Sequence, residues 1–307
     1  MLCKCIANIV CIGRRGDIVN QQSFPHSFNS LTNESVRIKV VDIGANMIEE
    51  LPPYAGMVMA GNADVVGFEP NLEALAQLNA KKGPNEVYLP HTIGDGARHT
   101  FNCCQAPGMS SILKPNPKVL NMFHGFPDWS LILATEEVDT VKLDSIAETA
   151  GVDLLKMDIQ GAELMALRHA KKRLKDALVI QVEVEFLQLY VDQPLFADID
   201  MFLRKYNFVF HRFFPLFNRM IQPMLSNNDI YAAGLSQTLY ADAVFVRDFT
   251  RLDKLSETQV LKMAAILHDC YQSYDLVLNL LTEYDRRTGK AIGPSYLPAL
   301  KKSAGIA

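Results

Sequence analysis

The 307-residue sequence predicts an α/β chain built on a doubly wound, mostly parallel sheet of seven strands. Three observations predict it. Short, almost continuous apolar runs alternate with helix-length segments at a repeat of roughly 25–30 residues, the spacing of βαβ units. The first two runs end in Asp42-Ile43-Gly44 and Phe68-Glu69-Pro70, so a glycine and acids stand where parallel strands hand over to loops. Hydrophobic residues make up 49% of the chain against 21% charged, which supplies a sizeable core and excludes a chain that is mainly disordered.

In chain order, residues 1–36 read as a polar, irregular leader rich in Ser, Asn and Gln. Ile38–Ile43 is the first buried strand. A helix follows Pro52-Pro53, whose fixed φ suits a first helical turn. Asp64–Glu69 is the second strand, and Pro70-Asn71 opens a helix with Leu72, Leu75, Ala76 and Leu78 on one face. Gly83-Pro84 ends it, and Glu86–His91 is the third strand. The alternation pauses over 96–144, with extended pieces at 97–104 and 137–143 around a Pro-, Gly- and aromatic-rich loop. It resumes with strand Asp153–Asp158, a helix from Ala162 to Leu174, strand Ala177–Phe186, a helix from Leu195 to Tyr206, and strands Phe208–Phe214 and Tyr240–Arg247. Three parts result: the leader, an α/β domain over 37–250, and a helical extension over 251–307. In the extension a helical stretch from Leu252 to about Arg287 contains the capping box Ser256 to Gln259 and is stopped by Gly289. Its stripe of Met263, Leu267, Tyr271, Tyr274 and Leu278 reads as core packing or as the seam of a homodimer.

Charge and cysteines narrow the partners. Thirty Lys and Arg against 34 Asp and Glu give −4, with no long basic run, so binding nucleic acid through bulk charge is excluded. The longest basic cluster, Arg168 to Lys175, falls where a helix should end, the place that favours cations. No run of 18 apolar residues predicts a membrane span. The start, MLCKCIANIVCIGRR, places its arginines after the apolar run and lacks a clear cleavage site, so no signal peptide is expected. The six cysteines, at 3, 5, 11, 103, 104 and 270, match no Cys-x-x-Cys spacing, and reduced thiols in a cytoplasmic protein are the simplest account.

The chemistry concentrates at the strand ends. Gly44 lets the backbone pass close to a ligand, and Glu69, on the next strand, can accept both ribose hydroxyls of an adenosine group. A dinucleotide site wants Gly-x-Gly-x-x-Gly to hold pyrophosphate. Here one glycine is followed by Met47-Ile48-Glu49-Glu50, whose acids would repel phosphate but tolerate the positive sulfonium of S-adenosylmethionine. Asp158 ends the fourth parallel strand beside the topological switch point and reads as an acceptor contact or base, or as a helix N-cap. Gln181, Glu183 and Glu185 share one face of an interior strand; Glu185 reads as a cleft residue and Gln181 as part of a structural ion pair. His124 reads as a surface-loop histidine or a lid-borne base, and Asp95 as an adenine contact or a turn former. Asp158, Glu183 and Glu185 suggest Mg²⁺, but Gln160 removes a charge from the group, and no required metal is expected.

At these residues the chain resembles the FkbM family of S-adenosylmethionine-dependent methyltransferases, over about residues 37–250. DIGAN at 42–46 and GFEP at 67–70 are similar to the family's cofactor motifs, GMSSI at 108–112 to its serine-pair loop, and VDTVKLDSI at 138–146 to the strand before its central motif. DLLKMDIQGAELMALRHA at 153–170 resembles the Lys-x-Asp-x-Glu-Gly-x-Glu signature, and QVEVEFLQLY, QPLF and YADAVFVRD resemble later strands. Two positions depart from it: Ile48 stands where the family writes a second glycine, and Gln160 where it writes Glu. The resemblance implies a Rossmann-like methyltransferase sheet with an antiparallel edge, and S-adenosylmethionine held by Asp42, Gly44, Asn46, Glu69, Asp95, Ser110 and Ser111. It also implies O-methylation of a carbohydrate, glycoconjugate or secondary-metabolite hydroxyl, with Asp158 and Glu185 as catalytic candidates. The acceptor is expected between the Ser110-Ser111 loop, the 115–131 insertion and Glu185–Tyr190, with Phe123, Phe126, Trp129 and Tyr190 as flat apolar surface. Two alternatives stand beside it: a non-catalytic adenosine-ligand-binding protein, kept alive by Ile48, and an NAD-binding oxidoreductase.

Overall fold

The computed structural model describes residues 27–45, 51–224 and 235–303. The strands are β1 (Ile38–Ile43), β2 (Ala63–Phe68), β3 (Glu86–Leu89), β4 (Thr92–Ile93), β5 (Arg98–Cys104), β6 (Ile132–Val141), β7 (Leu154–Met157), β8 (Val179–Glu185), β9 (Phe208–Arg219) and β10 (Gln237–Arg247). The helices are α1 (Phe28–Thr32), α2 (Ala55–Met59), α3 (Leu72–Lys81), α4 (Pro117–Leu120), α5 (Phe126–Trp129), α6 (Glu163–Arg168), α7 (Lys171–Asp176), α8 (Phe196–Arg204), α9 (Glu257–Asp269), α10 (Tyr274–Thr288) and α11 (Ile292–Ser303).

Seven strands form one sheet in the order β3-β2-β1-β7-β8-β10-β9, parallel except for β10, so the predicted doubly wound sheet stands with β1 near its centre. The antiparallel strand is the last one, as expected, but it is not the edge. β10 inserts between β8 and β9, pairing with both, and β9 takes the outside. The 96–144 interruption is a second, three-stranded sheet in which β6 pairs antiparallel with β5 and parallel with the short β4.

Two other elements differ from expectation. The helix predicted from Ala162 to Leu174 is two short ones, because the Asp144 carboxylate accepts from Lys172 N and Arg173 N at 2.9–3.1 Å and so starts a new helix at α7. The C-terminal region is three helices. Gln272 adopts φ 53° and reverses the chain between α9 and α10, and α11 follows beyond the Gly289 stop. The capping box forms as expected, Ser256 Oγ accepting from Gln259 N and Gln259 Oε1 from Ser256 N.

The sheet is covered on both faces. Val41, Ile43, Leu155, Met157, Ile180, Val182, Val184, Ala241, Ala243 and Phe245 pack against α6, α7 and α8. On the other face Ile38, Val40, Leu154, Val179, Val244 and Val246 pack against α1, α9, α10 and α11. Met263, Leu267 and Tyr271 of the predicted stripe are buried there, so within the chain the stripe is core. Among the described residues no helix is long and apolar enough to cross a membrane.

Candidate active site

The second face changes character part-way up. Below, at the amino ends of the strands, it is aliphatic; above, the same alternation delivers Asp42 on β1, Lys156 on β7, Gln181, Glu183 and Glu185 on β8 and Asp242 on β10. Register aligns them: Asp42 lies opposite Lys156, Lys156 opposite Gln181, and Glu183 opposite Asp242. Two tyrosines rooted in the apolar layer mark the border. Tyr54 donates to Asp42 Oδ2 at 2.5 Å, and Tyr271 donates to Gln181 Oε1 at 2.8 Å. Gln181 in turn donates to Asp242 Oδ2 at 2.6 Å, so it is held structurally, by hydrogen bonds rather than the expected ion pair.

Lys156 is the cation of this half. Its Nζ lies 3.2 Å from Asp42 Oδ1. Burial works against its charge, but Asp42, Asp158 and Asp242 outweigh burial and hold its pKa above the ordinary value. Asp42, 2% exposed, thus spends one oxygen on Tyr54 and the other on Lys156, and anchors the end of β1.

Gly44 has φ +83°, and a Cβ there would lie 2.0 Å from the Asp158 carbonyl oxygen. The close approach that requires glycine is therefore to the neighbouring strand's own backbone. Gly44 N and Ala45 N donate to Phe68 O, and Asp158 N donates to Ile43 O, which locks the ends of β1, β2 and β7 together. Asn46 and Ile48 lie outside the described residues. Glu69 sits at the adjoining end of β2, its Oε1 accepting from Asn71 N at 2.7 Å and burial raising its pKa. Asp95 accepts from Ala97 N, His99 Nε2 and Thr140 Oγ1, all on Oδ1. Ser110 Oγ accepts from Cys104 N, while Ser111 Oγ donates to the Gln160 carbonyl at 2.7 Å and ties its loop to the turn after β7.

That turn is the centre of the acidic half. Asp158 does not cap α6, whose N-cap is Ala162 without a side-chain bond. Gln160 adopts φ 56° and places its amide between two carboxylates, Nε2 donating to Asp158 Oδ1 at 2.9 Å and to Glu183 Oε2 at 3.0 Å. Glu163 Oε1 accepts from Ile159 N and Gly161 N. Burial, opposed by those amides and reinforced by the Asp158 charge, pushes the Glu163 carboxyl up to about 7. Burial and the charges of Asp158 and Glu185 raise Glu183; burial and the charge of Glu163 raise Glu185.

A sequence model described as a methyltransferase FkbM domain matches residues 42–210, more than half of the chain. The chain belongs to the FkbM methyltransferase family.

Within this FkbM domain three residues of the half-face and its surroundings carry no plain signal of their place in the sequence alone. Lys156 and Glu163 lie inside the quoted central motif, where their one mark is the spacing itself, a lysine and a glutamate flanking Asp158 on either side. Tyr190 was assigned to an acceptor surface, but it is fully buried and its hydroxyl faces Gln160 Oε1 and the Met109 carbonyl. Phe123 and Phe126 are buried with it in a separate apolar cluster under the insertion, so they line no cleft, and His124 on the loop contacts the Met224 carbonyl. No curated protein matches the chain. Among solved structures, precorrin-6y C5,15-methyltransferase from Geobacter metallireducens GS-15 is similar at 12% identity and a TM-score of 0.32, covering 71% of this chain and 85% of that one.

Proposed function

We propose that this FkbM protein transfers a methyl group from S-adenosylmethionine to a hydroxyl oxygen of a carbohydrate, a glycoconjugate or a secondary metabolite of similar polarity. The observation that carries the reading is the carboxylate-rich half-face at the carboxyl ends of β7 and β8. It suits a cationic sulfonium and a polar acceptor, and opposes a pyrophosphate cofactor. The fit to the cofactor rests on Glu69, whose known hydrogen bond uses only Oε1, and on the packed ends of β1 and β2 beside it.

S-adenosylmethionine, when bound, supplies an electrophilic methyl on a positively charged sulfur. The chain's own work is positioning and proton transfer. Glu69 would hold the ribose edge, and Ser111 keeps the turn after β7 in place through the Gln160 carbonyl. Asp158, oriented by the Gln160 amide, would take the acceptor's hydroxyl proton as the oxygen–carbon bond forms. Glu185, whose burial raises its proton affinity, is the second candidate base. With Phe123, Phe126 and Tyr190 withdrawn into a core, the case for a sugar rests on these polar groups rather than on stacking. Buried thiols at Cys104 and Cys270, in no disulfide, support a cytoplasmic setting. Any homodimer through the C-terminal helices would use outer residues such as Leu297, because the stripe is taken up internally.

Calorimetry against S-adenosylmethionine, S-adenosylhomocysteine and NAD tests the cofactor, and methyl transfer on a panel of sugars and lipid alcohols tests the acceptor. Binding of both adenosyl ligands, with transfer to sugars lost in Asp158→Ala, is the expected result. Heat with NAD alone would favour the oxidoreductase, and binding without transfer to any alcohol would favour a non-catalytic protein.

A further inference from the structure

The acidic half-face continues outward past β8. Tyr240 of β10 lies opposite Glu185, and Phe217 of β9 lies opposite Tyr240, so all three side chains leave the sheet on the same side. Because β9 runs in the direction of β8, its last residue, Arg219, stands at the carboxyl end, where open α/β sheets take their ligands. The Phe217 and Tyr240 rings stack with centroids 4.7 Å apart and planes 24° from parallel, and both residues are half-buried. Arg219 leaves β9 on the side of Phe217. Its guanidinium carbon lies 5.5 Å from the Tyr240 ring centre, and Nη2 donates to the Tyr240 hydroxyl at 2.8 Å.

The donors of Arg219 are incompletely used. Among the described residues its hydrogen bonds reach neutral oxygens, the Tyr240 hydroxyl and, at 3.5 Å, the Asn218 carbonyl. Its Nε is buried without a hydrogen-bond partner. Asn218 Oδ1 is buried and unbonded too, but successive side chains of a strand leave on opposite faces, so it does not serve Arg219. A guanidinium carries a full charge and a planar fork of donors that matches carboxylate and phosphate, and neutral oxygens leave that charge unmatched.

We propose that Arg219, Tyr240 and Phe217 bind the methyl acceptor, and that this acceptor is an acidic sugar, a ring bearing a carboxylate or a phosphate. The inference rests on the methyl-transfer reading and narrows its acceptor. Phe217 and Tyr240 offer the ring surface that Phe123 and Phe126 withdraw into the core under the insertion. From Glu185 to Phe217 is two strand spacings, about 10 Å, room for one sugar ring and its substituents. The anion pairs with the Arg219 fork at one end, and the acidic half-face repels it at the other. One orientation satisfies both, and it turns a ring hydroxyl toward Asp158 and Glu185. A neutral sugar has no such sorting.

The test measures binding rather than turnover. D-glucuronate, D-glucose 6-phosphate and D-glucose are titrated into the full chain, with and without S-adenosylhomocysteine, and followed by saturation-transfer NMR. At least one anionic sugar should bind about tenfold or more tightly than D-glucose, and the preferred one identifies carboxylate or phosphate as the recognised group. Arg219→Met keeps the aliphatic stem and should erase the preference. Arg219→Lys keeps the charge without the fork and should retain part of it, while Phe217→Leu should weaken all three sugars alike. Equal binding of D-glucose and the anionic sugars, an unchanged preference in Arg219→Met, or no binding of any of the three would overturn the proposal. S-adenosylhomocysteine that fails to bind while the anionic preference stands would remove the methyl-transfer reading and leave an acidic-sugar site.

Discussion

The two faces of the central sheet are made by the same strands and obey different rules. On the α6–α8 side, Val41 and Ile43 of β1, Leu155 and Met157 of β7, Ile180, Val182 and Val184 of β8, and Ala241, Ala243 and Phe245 of β10 form a continuous apolar layer, with a polar residue, Lys39, near the start of β1. On the α9–α11 side the aliphatic run stops half-way, and Asp42, Lys156, Gln181, Glu183, Glu185 and Asp242 take over, with the Tyr54 and Tyr271 hydroxyls at the junction. One face is packed apolar throughout its middle, and half of the other holds buried polar and charged groups at some cost in stability. The teaching is that a methyltransferase sheet need not dedicate a strand to function: β8 carries Val182 and Glu183 side by side, and the alternation sorts them.

The strongest way to break this comparison is to move a charge across the sheet. Val182→Asp places a carboxylate among Leu155, Ile180 and Phe245 with no donor in reach, and should cost about 4 kcal/mol or more. A urea titration should find the variant largely unfolded, whereas Glu183→Gln, one residue away, should keep or raise the midpoint. Equal losses in the two variants would mean that the faces do not differ as described.

Next in size is the removal of Lys156, the one lysine in the acidic half among the described residues. Lys156→Met keeps the volume of the stem but leaves Asp42 buried with Tyr54 as its remaining partner, so a loss of about 3 kcal/mol is expected. Cofactor affinity should fall with it, because the end of β1 is anchored through Asp42. An unchanged melting temperature would show that Lys156 is not what balances this half-face.

The same contrast separates what was legible in the sequence from what was not. The sheet was legible because parallel strands write their burial as unbroken apolar runs, and β8 advertised its polar face through Gln181, Glu183 and Glu185. Asp158 was legible as a strand-end acid. Tyr190, Phe123 and Phe126 were misjudged because an aromatic loop reads alike whether it lines a cleft or fills a core; only its packing over Cys104 and Leu239 decides. The place of β10 was hidden too, since a strand inserted between two others looks the same in sequence as one added at the edge. Glu163 was hidden by being apparently helical and ordinary, and its two backbone partners exist only once the turn after β7 has formed.

Burial alone, without a cluster, can be watched at Asp269, which lies in the helical layer below the acidic half. Its carboxyl accepts from Phe28 N, yet burial pushes its pKa from 3.8 up to about 6. A raised acid contributes stability that is complete below its unfolded pKa and is lost as pH rises through the folded one. Asp269→Asn should therefore match the parent near pH 4 and exceed it above pH 6, by about 2 kcal/mol. Melting temperatures of both chains across that window provide the measurement, and parallel curves would sink the assignment.

The smallest effect has the opposite sign. Asp95 is a carboxylate supplied with donors: the His99 ring first, then Ala97 N against a modest burial penalty, with a smaller contribution from Thr140, and together they bring its pKa down to about 2. Its stabilisation is complete above the unfolded value of 3.8 and is lost as pH falls from there through about 2. The side chain is a quarter exposed, so solvent takes part of the gain, and about 1 kcal/mol is expected at neutral pH. Asp95→Asn should lose that amount at pH 7 and converge with the parent only as pH falls through about 2, measured as the difference between their urea midpoints at each pH. The same variant also probes the cofactor. All three bonds fall on Oδ1, so a weaker affinity for S-adenosylmethionine beyond the stability loss would assign the other oxygen to the adenine amine. Unchanged affinity would make Asp95 a turn-former alone, and would confine the cofactor's carboxylate contacts to Glu69 and the acidic half-face.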